Sequence, residues 1–350
     1  MRILIADAFP DASLTEIAER GHDCVRAPDV SADQLPHQLA GCEVLVVRST
    51  KVTRAALEAA DSLRVVIRAG SGTNTIDLDA ATELGIRVCN VPGRNAAAVA
   101  ELTVGLLLAL DRNIADNVLD LREGHWNKKD YAHARGVRGR KVGIVGLGQI
   151  GLEVAERAAA FGTEIYAVAK PDRDQRTLER AHALGIGFVD GLETLARICD
   201  VLSFHVPAAD GTRCLIGREL LGHVQPGAIL LNTSRGDLVD DDALVEAMDT
   251  KGVRAGLDVF TGEPGSGRGE IASRLATHPN VYGTHHIGAS TEQAQGAVAD
   301  EVVRMLAELE SGNVLHCVNI DASRAGFELS PDTTSRADAR SDSLQLGGVP

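Results

Sequence analysis

The chain predicts two doubly wound α/β units, each a parallel sheet with helices on both faces. Three observations carry that expectation. Short runs rich in Val and Ile recur along the chain, separated by helical patterns or glycine turns, the alternation that parallel βαβ units require. The 350 residues are enough for two cores of ordinary size. A glycine turn, Gly146-Leu-Gly148-Gln-Ile-Gly151, directly follows one apolar run and opens a helix.

In order, the first unit holds strands at Ile3–Ala6, Val44–Val47, Val65–Ile67 and Arg87–Cys89, with helical spacing at Leu14–Arg20, Thr53–Ala60 and Leu78–Leu84. Asn95–Leu110 is rich in Ala and Leu with little polar surface, which predicts a helix buried between domains or subunits. The second series begins with strand Val142–Val145, helix Gln149–Ala160 and strand Glu164–Val168. Phe188, Val201–Phe204, Ala228–Leu231 and Arg254–Leu257 continue it, and Val281–Tyr282 is a last short strand. A long helix, Thr291–Leu309, carries apolar positions at Val298, Val302, Met305, Leu306 and Leu309. The first shift between units falls near Pro92. After Asn319 the periodicity stops, and residues 321–350 have the composition of a disordered tail.

Charge and composition remove several classes of function. Forty-nine acidic against 35 basic residues give a net charge of −14, which repels phosphate backbones and anionic lipid. No basic patch offsets this, so no nucleic-acid partner is expected. The longest apolar stretch, Leu102–Leu110, is half of a membrane span, and the N-terminus meets Asp7 too early for a signal-peptide core. The six cysteines are scattered without a Cys-x-x-Cys pair. A disulfide framework or a metal site is therefore not expected, and the cytoplasm is the simpler setting.

The glycine turn is the sharpest chemical signal. Between a strand and a helix, Gly146 permits the tight turn, Gly148 lets a pyrophosphate approach the backbone, and Gly151 lets helix and strand pack closely. The helix N-terminus then offers N–H groups to the phosphates. A ribose reader belongs at the end of the next strand, where the expected carboxylate falls on Ala169. Asp172 lies three residues on, and Lys170 and Arg173 offer positive charge where a 2′-phosphate would sit, so the choice between NAD and NADP stays open. Polar segments also end three later strands: Asn232-Thr-Ser-Arg235-Gly236, Asp258-Val-Phe-Thr-Gly-Glu263-Pro264 and His285-His286-Ile-Gly288. In open α/β sheets ligands bind outside the carboxyl ends of strands, which makes these segments one candidate crevice.

Those residues resemble the D-2-hydroxyacid dehydrogenase family, and within it the phosphoglycerate dehydrogenase branch. The similarity covers about residues 1–319 and includes Val47-Arg48-Ser-Thr-Lys-Val-Thr53, Arg68-Ala-Gly-Ser-Gly-Thr-Asn74, Asn90-Val-Pro92, Ala100-Glu-Leu-Thr103, Leu257-Asp-Val-Phe260 and His286-Ile-Gly-Ala-Ser-Thr291, in the family's order. It implies a Rossmann cofactor domain at 93–289 inserted into a flavodoxin-like substrate domain formed by 1–92 and 290–320. It further implies Arg235, Glu263 and His286 as the catalytic set and Asp258 as the holder of the nicotinamide amide. Gln149, Ile150, Lys170, Val206, Thr233, Ser234 and Gly288 would line the cofactor with the three glycines, and His205 would wall the pocket. Arg48, and less so Arg68, would pair with a substrate phosphate, while Ser71 and Gly72 offer backbone N–H groups. The sequence departs from the pattern at Ala169 and at His285, which stands where proline usually precedes the catalytic histidine. The tail also lacks the regulatory domain of longer members, so serine feedback through such a domain is not expected.

The residue types suit the implied reaction. Oxidising a 2-hydroxy acid removes a proton from oxygen and a hydride from carbon, and imidazole suits that proton near neutrality. A carboxylate beside the ring fixes its tautomer, and an arginine fork orients the substrate carboxylate. Three functions remain in view: 3-phosphoglycerate oxidation in serine biosynthesis, glyoxylate or hydroxypyruvate reduction, and a dinucleotide-sensing corepressor-like binding protein. The apolar helix and the Trp126 segment after it suggest a homodimer.

Overall fold

The computed structural model describes residues 1–264 and 268–320. The described residues form two compact units, Met1–Pro92 with those from Gly296 to Ile320, and Gly93–Gln295. The second boundary falls later than the expected 289/290, inside the last helix. The reading of 321–350 as a disordered tail lies outside the described residues.

The first unit runs β1 (Arg2–Ile5), α1 (Asp11–Glu19), β2 (Asp23–Arg26), β3 (Val44–Val47), α2 (Arg54–Ala59), β4 (Val65–Arg68), α3 (Leu78–Glu83) and β5 (Arg87–Asn90). Its five parallel strands lie in the order β2-β1-β3-β4-β5, the flavodoxin-like arrangement. The inner strands are continuous apolar runs because helices cover both sheet faces. All four residues of β3 are buried. Edge strand β2 is Asp-Cys-Val-Arg, half exposed, and this thin pattern hides it in the sequence. Thr53 and Asp77 cap α2 and α3 by accepting the backbone N–H three residues on.

The second unit runs α4 (Ala96–Arg112), α5 (Ile114–Arg122), β6 (Lys141–Val145), α6 (Gln149–Ala160), β7 (Glu164–Val168), α7 (Gln175–Ala183), β8 (Gly187–Val189), α8 (Leu192–Ile198), β9 (Val201–Phe204), α9 (Arg218–His223), β10 (Ile229–Asn232), α10 (Asp241–Lys251), β11 (Arg254–Leu257) and β12 (Val281–Gly283). The sheet order is β12-β11-β10-β9-β6-β7-β8, all parallel, the Rossmann order extended by one strand. The last described helix is α11 (Glu292–Glu310), whose Val302, Val303, Met305, Leu306 and Leu309 join the core of the first unit.

Helix α4 is buried within its own unit, where Leu106, Leu107 and Leu110 share a core with α6 and the sheet. A Cβ on Gly256 of β11 would lie 3.0 Å from Leu106 Cβ, so glycine there lets helix and strand approach. Asn113, at φ +50°, ends α4 in the left-handed region and turns the chain into α5. None of α5 is buried. Among the described residues no helix is long and apolar enough to cross a membrane.

Candidate active site

The glycine turn at the end of β6 is constrained by contact on two sides. Gly146 sits at φ +99°, and a Cβ there would lie 2.4 Å from the His205 carbonyl oxygen and 2.8 Å from Val206 Cγ1. A Cβ on Gly151 would lie 2.0 Å from the Gly146 carbonyl oxygen. Around the Cβ position of Gly148, by contrast, nothing lies within 4 Å. Gly148 also N-caps α6 without a side-chain hydrogen bond, so the N-cap residue leaves both its own Cβ space and the start of the helix uncovered. That is what a pyrophosphate needs. The Gln149 side chain lies across Gly93, where a Cβ would be 1.4 Å from its Oε1.

At the end of β7, Ala169 and Lys170 are exposed. Arg173 differs from the expected phosphate reader. It donates to the Val168 carbonyl at 3.0 Å and lies over the Phe188 ring at 6.0 Å, and burial lowers its pKa. The fold uses this guanidinium to close β7, which leaves Lys170 as the exposed cation of the pair. After β9, His205 is half-buried. Its Nε2 lies 2.7 Å from Ser203 Oγ, and burial holds it neutral with a pKa pulled down to about 3. A wall residue fits that environment, and a proton shuttle near neutrality does not.

Three strand ends carry the polar set. After β10, Asn232 is buried and ties its loop by donating to the Arg235 carbonyl at 2.8 Å while accepting from Ser234 N and Oγ. Thr233 Oγ1 lies 2.9 Å from Thr103 Oγ1 on α4. Arg235 is half-buried and donates to the Ser234 carbonyl at 2.6 Å. Burial lowers its pKa against the opposing charges of Glu263 and Asp237. A Cβ on Gly236 would lie 2.3 Å from Phe260 C, so glycine lets this loop meet the one after β11.

Asp258, after β11, is buried and organises the loop beyond β12. Its Oδ1 accepts from Thr284 Oγ1 at 2.6 Å and Ile287 N at 2.8 Å, its Oδ2 from Gly288 N at 2.8 Å, and its carbonyl from His286 N at 2.8 Å. His286 is thereby held at φ +51°, a left-handed conformation that costs a non-glycine residue about 1–2 kcal/mol. Both carboxylate oxygens of Asp258 therefore serve the histidine loop. His286 Nδ1 meets Glu263 Oε2 at 2.7 Å, and Glu263 Oε1 accepts from Phe260 N at 2.8 Å. Burial raises the Glu263 pKa, but the His286 and Phe260 hydrogen bonds and the nearby charges outweigh it and hold the carboxyl below its ordinary range. His285 is exposed, with no ion-pair partner among the described residues.

In the first unit, Asp7 follows β1 as an acid at a strand end, and no spacing in the sequence marks its role. Its Oδ2 accepts from the N–H groups of Arg48 (2.6 Å), Ser49 (3.1 Å) and Thr50 (3.2 Å), fixing the loop that presents Arg48. The Arg48 side chain is half-buried and makes no hydrogen bond or ion pair with a described residue. Arg68 folds across Gly70, where a Cβ would be 1.6 Å from its Nη1. Ser71 donates to the Val91 carbonyl at 3.2 Å, and its own carbonyl accepts from Asn90, with Gly72 next in this loop. Elsewhere Asp120, Glu123 and His125 bring potential metal-ligand atoms together, but Asp120 Oδ2 already accepts from Asn127 and Tyr131.

A glycine cradle at the carboxyl edge of a Rossmann sheet, with an imidazole–carboxylate pair and an arginine on neighbouring strand ends, defines a dinucleotide-dependent class of protein. Residues 104–288 match the family described as "D-isomer specific 2-hydroxyacid dehydrogenase, NAD binding domain", and the chain belongs to that family. It is 42% identical over 286 residues to a hydroxypyruvate reductase of Thermotoga maritima, covering 81% of this chain and 89% of that one. It is 38% identical over 336 residues to a D-3-phosphoglycerate dehydrogenase of Methanocaldococcus jannaschii, covering 93% of this chain but only 61% of that protein's length. Among solved structures, the TT0316 protein from Thermus thermophilus superposes with a TM-score of 0.80 at 33% identity, over 91% of this chain and all of that one.

Proposed function

We propose that the chain is an NAD-dependent D-2-hydroxyacid dehydrogenase and that its substrate pair is 3-phosphoglycerate and 3-phosphohydroxypyruvate, at the entry to serine biosynthesis. The observation that carries the dehydrogenase reading is the 2.7 Å contact between His286 Nδ1 and Glu263. With Nδ1 engaged by a carboxylate, Nε2 is the nitrogen left for the substrate. In the oxidation, His286 Nε2 takes the proton of the 2-hydroxyl group, and Glu263 stabilises the imidazolium that results. Arg235 pairs with the substrate carboxylate and turns C2 to face the cofactor. Bound NAD would supply the nicotinamide ring as the hydride acceptor for this oxidation. Gly146, Gly148, Gln149, Ile150, Gly151, Lys170, Val206, Thr233, Ser234 and Gly288 would hold it. The family match to an NAD-binding domain and the open Gly148 cradle support this assignment.

The phosphorylated substrate rests on two supports. The match to the Methanocaldococcus enzyme extends over 93% of this chain, and Arg48 presents a guanidinium that no described residue uses, with Ser71 and Gly72 supplying backbone donors. The second reading, reduction of hydroxypyruvate or glyoxylate, is favoured by the Thermotoga relative, which matches over 89% of its own length. Initial rates on 3-phosphohydroxypyruvate, hydroxypyruvate and glyoxylate with NADH and NADPH decide between them. A preference of tenfold or more for either unphosphorylated acid would overturn the phosphoglycerate assignment.

We also infer a homodimer. Helix α5 and the residues after it expose Ile114, Leu119, Leu121 and Trp126, the last at 80%, and a second copy is the occupant that would cover this apolar strip. We place the chain in a reducing, cytoplasmic setting, which six scattered cysteines without a Cys-x-x-Cys pair suit.

A further inference from the structure

The segment that follows α11 returns alongside β5, the edge strand of the five-stranded sheet, where one antiparallel bridge pairs Cys89 with Cys317. The flanking hydrogen bonds define the kind of pair. Asn90 N donates to the His316 carbonyl at 3.2 Å and Val318 N to the Val88 carbonyl at 2.8 Å, so the bonds join the neighbours of the two cysteines. This is the non-hydrogen-bonded pair of an antiparallel ladder, in which Cα atoms approach to about 4.5 Å with side chains on one face. That separation falls within the roughly 4.4–6.8 Å that a disulfide spans. Asn319 pins the register, accepting from Val88 N at 2.8 Å and donating to the Ile86 carbonyl at 2.9 Å. Cys89 is buried and Cys317 half-buried, so one sulfur of the pair is reachable. Neither belongs to the glycine cradle or to the set around His286.

We propose that Cys89 and Cys317 form a thiol oxidation site that closes to a cross-strand disulfide when it meets a small disulfide such as oxidised glutathione. The Cys317 thiolate attacks one sulfur of the small disulfide, breaks its S–S bond and releases one small thiolate, leaving a mixed disulfide on Cys317. Cys89 then gives up its proton, and its sulfur attacks the Cys317 sulfur and expels the second small thiolate. Two protein thiols are oxidised to one disulfide, and the small disulfide is reduced to two thiols that carry off the two protons. The surroundings set this order of events. The Cys89 thiol hydrogen-bonds to Cys317, and backbone N–H groups of Ile320 and Asn319 add to it against the opposing effect of burial, holding Cys317 down to about 5. The same hydrogen bond and burial push the Cys89 thiol far up, so Cys317 is the attacking sulfur.

The bond would tie β5 to a segment distant in sequence, which constrains the unfolded chain strongly. Oxidation should raise the Tm by about 5–10 °C, reversibly with dithiothreitol. The test incubates the full chain with oxidised glutathione, alkylates the remaining thiols and maps tryptic peptides. Peptides 88–94 and 305–324 should appear joined with the loss of two hydrogens. Cys317→Ser and Cys89→Ser should each abolish both the link and the Tm rise, while Cys214→Ser, which removes the exposed thiol, should keep them. The proposal is overturned if Cys317 stops at the mixed disulfide with Cys89 alkylated. It is equally overturned if Cys317 links to Cys24, or if neither thiol reacts.

Discussion

Asp258 makes the sharpest prediction, because its carboxylate ties the loop that holds His286. Replacing it with alanine removes three acceptor contacts, from Thr284 Oγ1, Ile287 N and Gly288 N. Hydrogen bonds to a charged group contribute about 1.5–3 kcal/mol each, and water can replace the more exposed ones, so the loop loses roughly 3–6 kcal/mol. The His286 backbone at φ +51° holds only while those contacts exceed its strain of about 1–2 kcal/mol. Once they go, the catalytic conformer becomes a minor one. With about 1.4 kcal/mol per tenfold, Asp258→Ala should lower kcat by at least ~100-fold and lower the Tm by about 6–12 °C. Asp258→Asn keeps one oxygen but turns an amide NH2 towards a donor, and should fall between the two. The assay is kcat at saturating substrate together with calorimetric Kd for NAD. The expected pattern is a kcat loss with NAD affinity within threefold or so of wild type. An NAD Kd weakened some thirtyfold with kcat intact in Asp258→Asn would show that the carboxylate serves the nicotinamide amide instead, and would refute the positioning argument.

Four other outcomes follow from the same geometry. His286→Asn should cut kcat by about 10²–10⁴-fold with NAD binding little changed, while His285→Asn stays within a fewfold of wild type; steady-state rates would contradict the assignment if the second were the crippling change. Arg48→Ala should reduce kcat/KM for 3-phosphohydroxypyruvate far more than for hydroxypyruvate, and an equal loss on both would make Arg48 structural. Ala169→Asp should raise the NAD-over-NADP ratio of kcat/KM about ten- to a hundredfold, from one charged hydrogen bond of about 1.5–3 kcal/mol; an unchanged ratio would place ribose recognition elsewhere. Leu119→Glu, on the exposed strip of α5, should yield monomers in sedimentation, and a dimer that survives would move the interface off this helix.

The parallel sheets were legible because buried strands in such sheets are apolar on both faces. Val44–Val47 and Val201–Phe204 therefore stand out without any alternation. Strand β2 and helix α5 were not legible, for related reasons. β2 lies at a sheet edge and α5 buries no residue, so neither needs an apolar signature. In the site, glycines and strand-end polar residues could be found from position alone. How those residues are used could not. Arg173 reads as a phosphate ligand until its guanidinium is seen folded onto the Val168 carbonyl. Asp7 reads as an ordinary surface acid until three successive N–H groups converge on it. Such roles are set by side-chain direction, on which linear spacing is silent.

Hydride transfer at a D-configured 2-hydroxy acid can be read by offering the purified chain NAD with each enantiomer of 3-phosphoglycerate and of glycerate. NADH formation should be followed alongside calorimetric NAD binding. NADH should form from the D-acids, fastest with the phosphorylated one, and not from the L-acids. Tight NAD binding with no turnover of any of the four would contradict hydride transfer and leave a dinucleotide-sensing binding protein in its place.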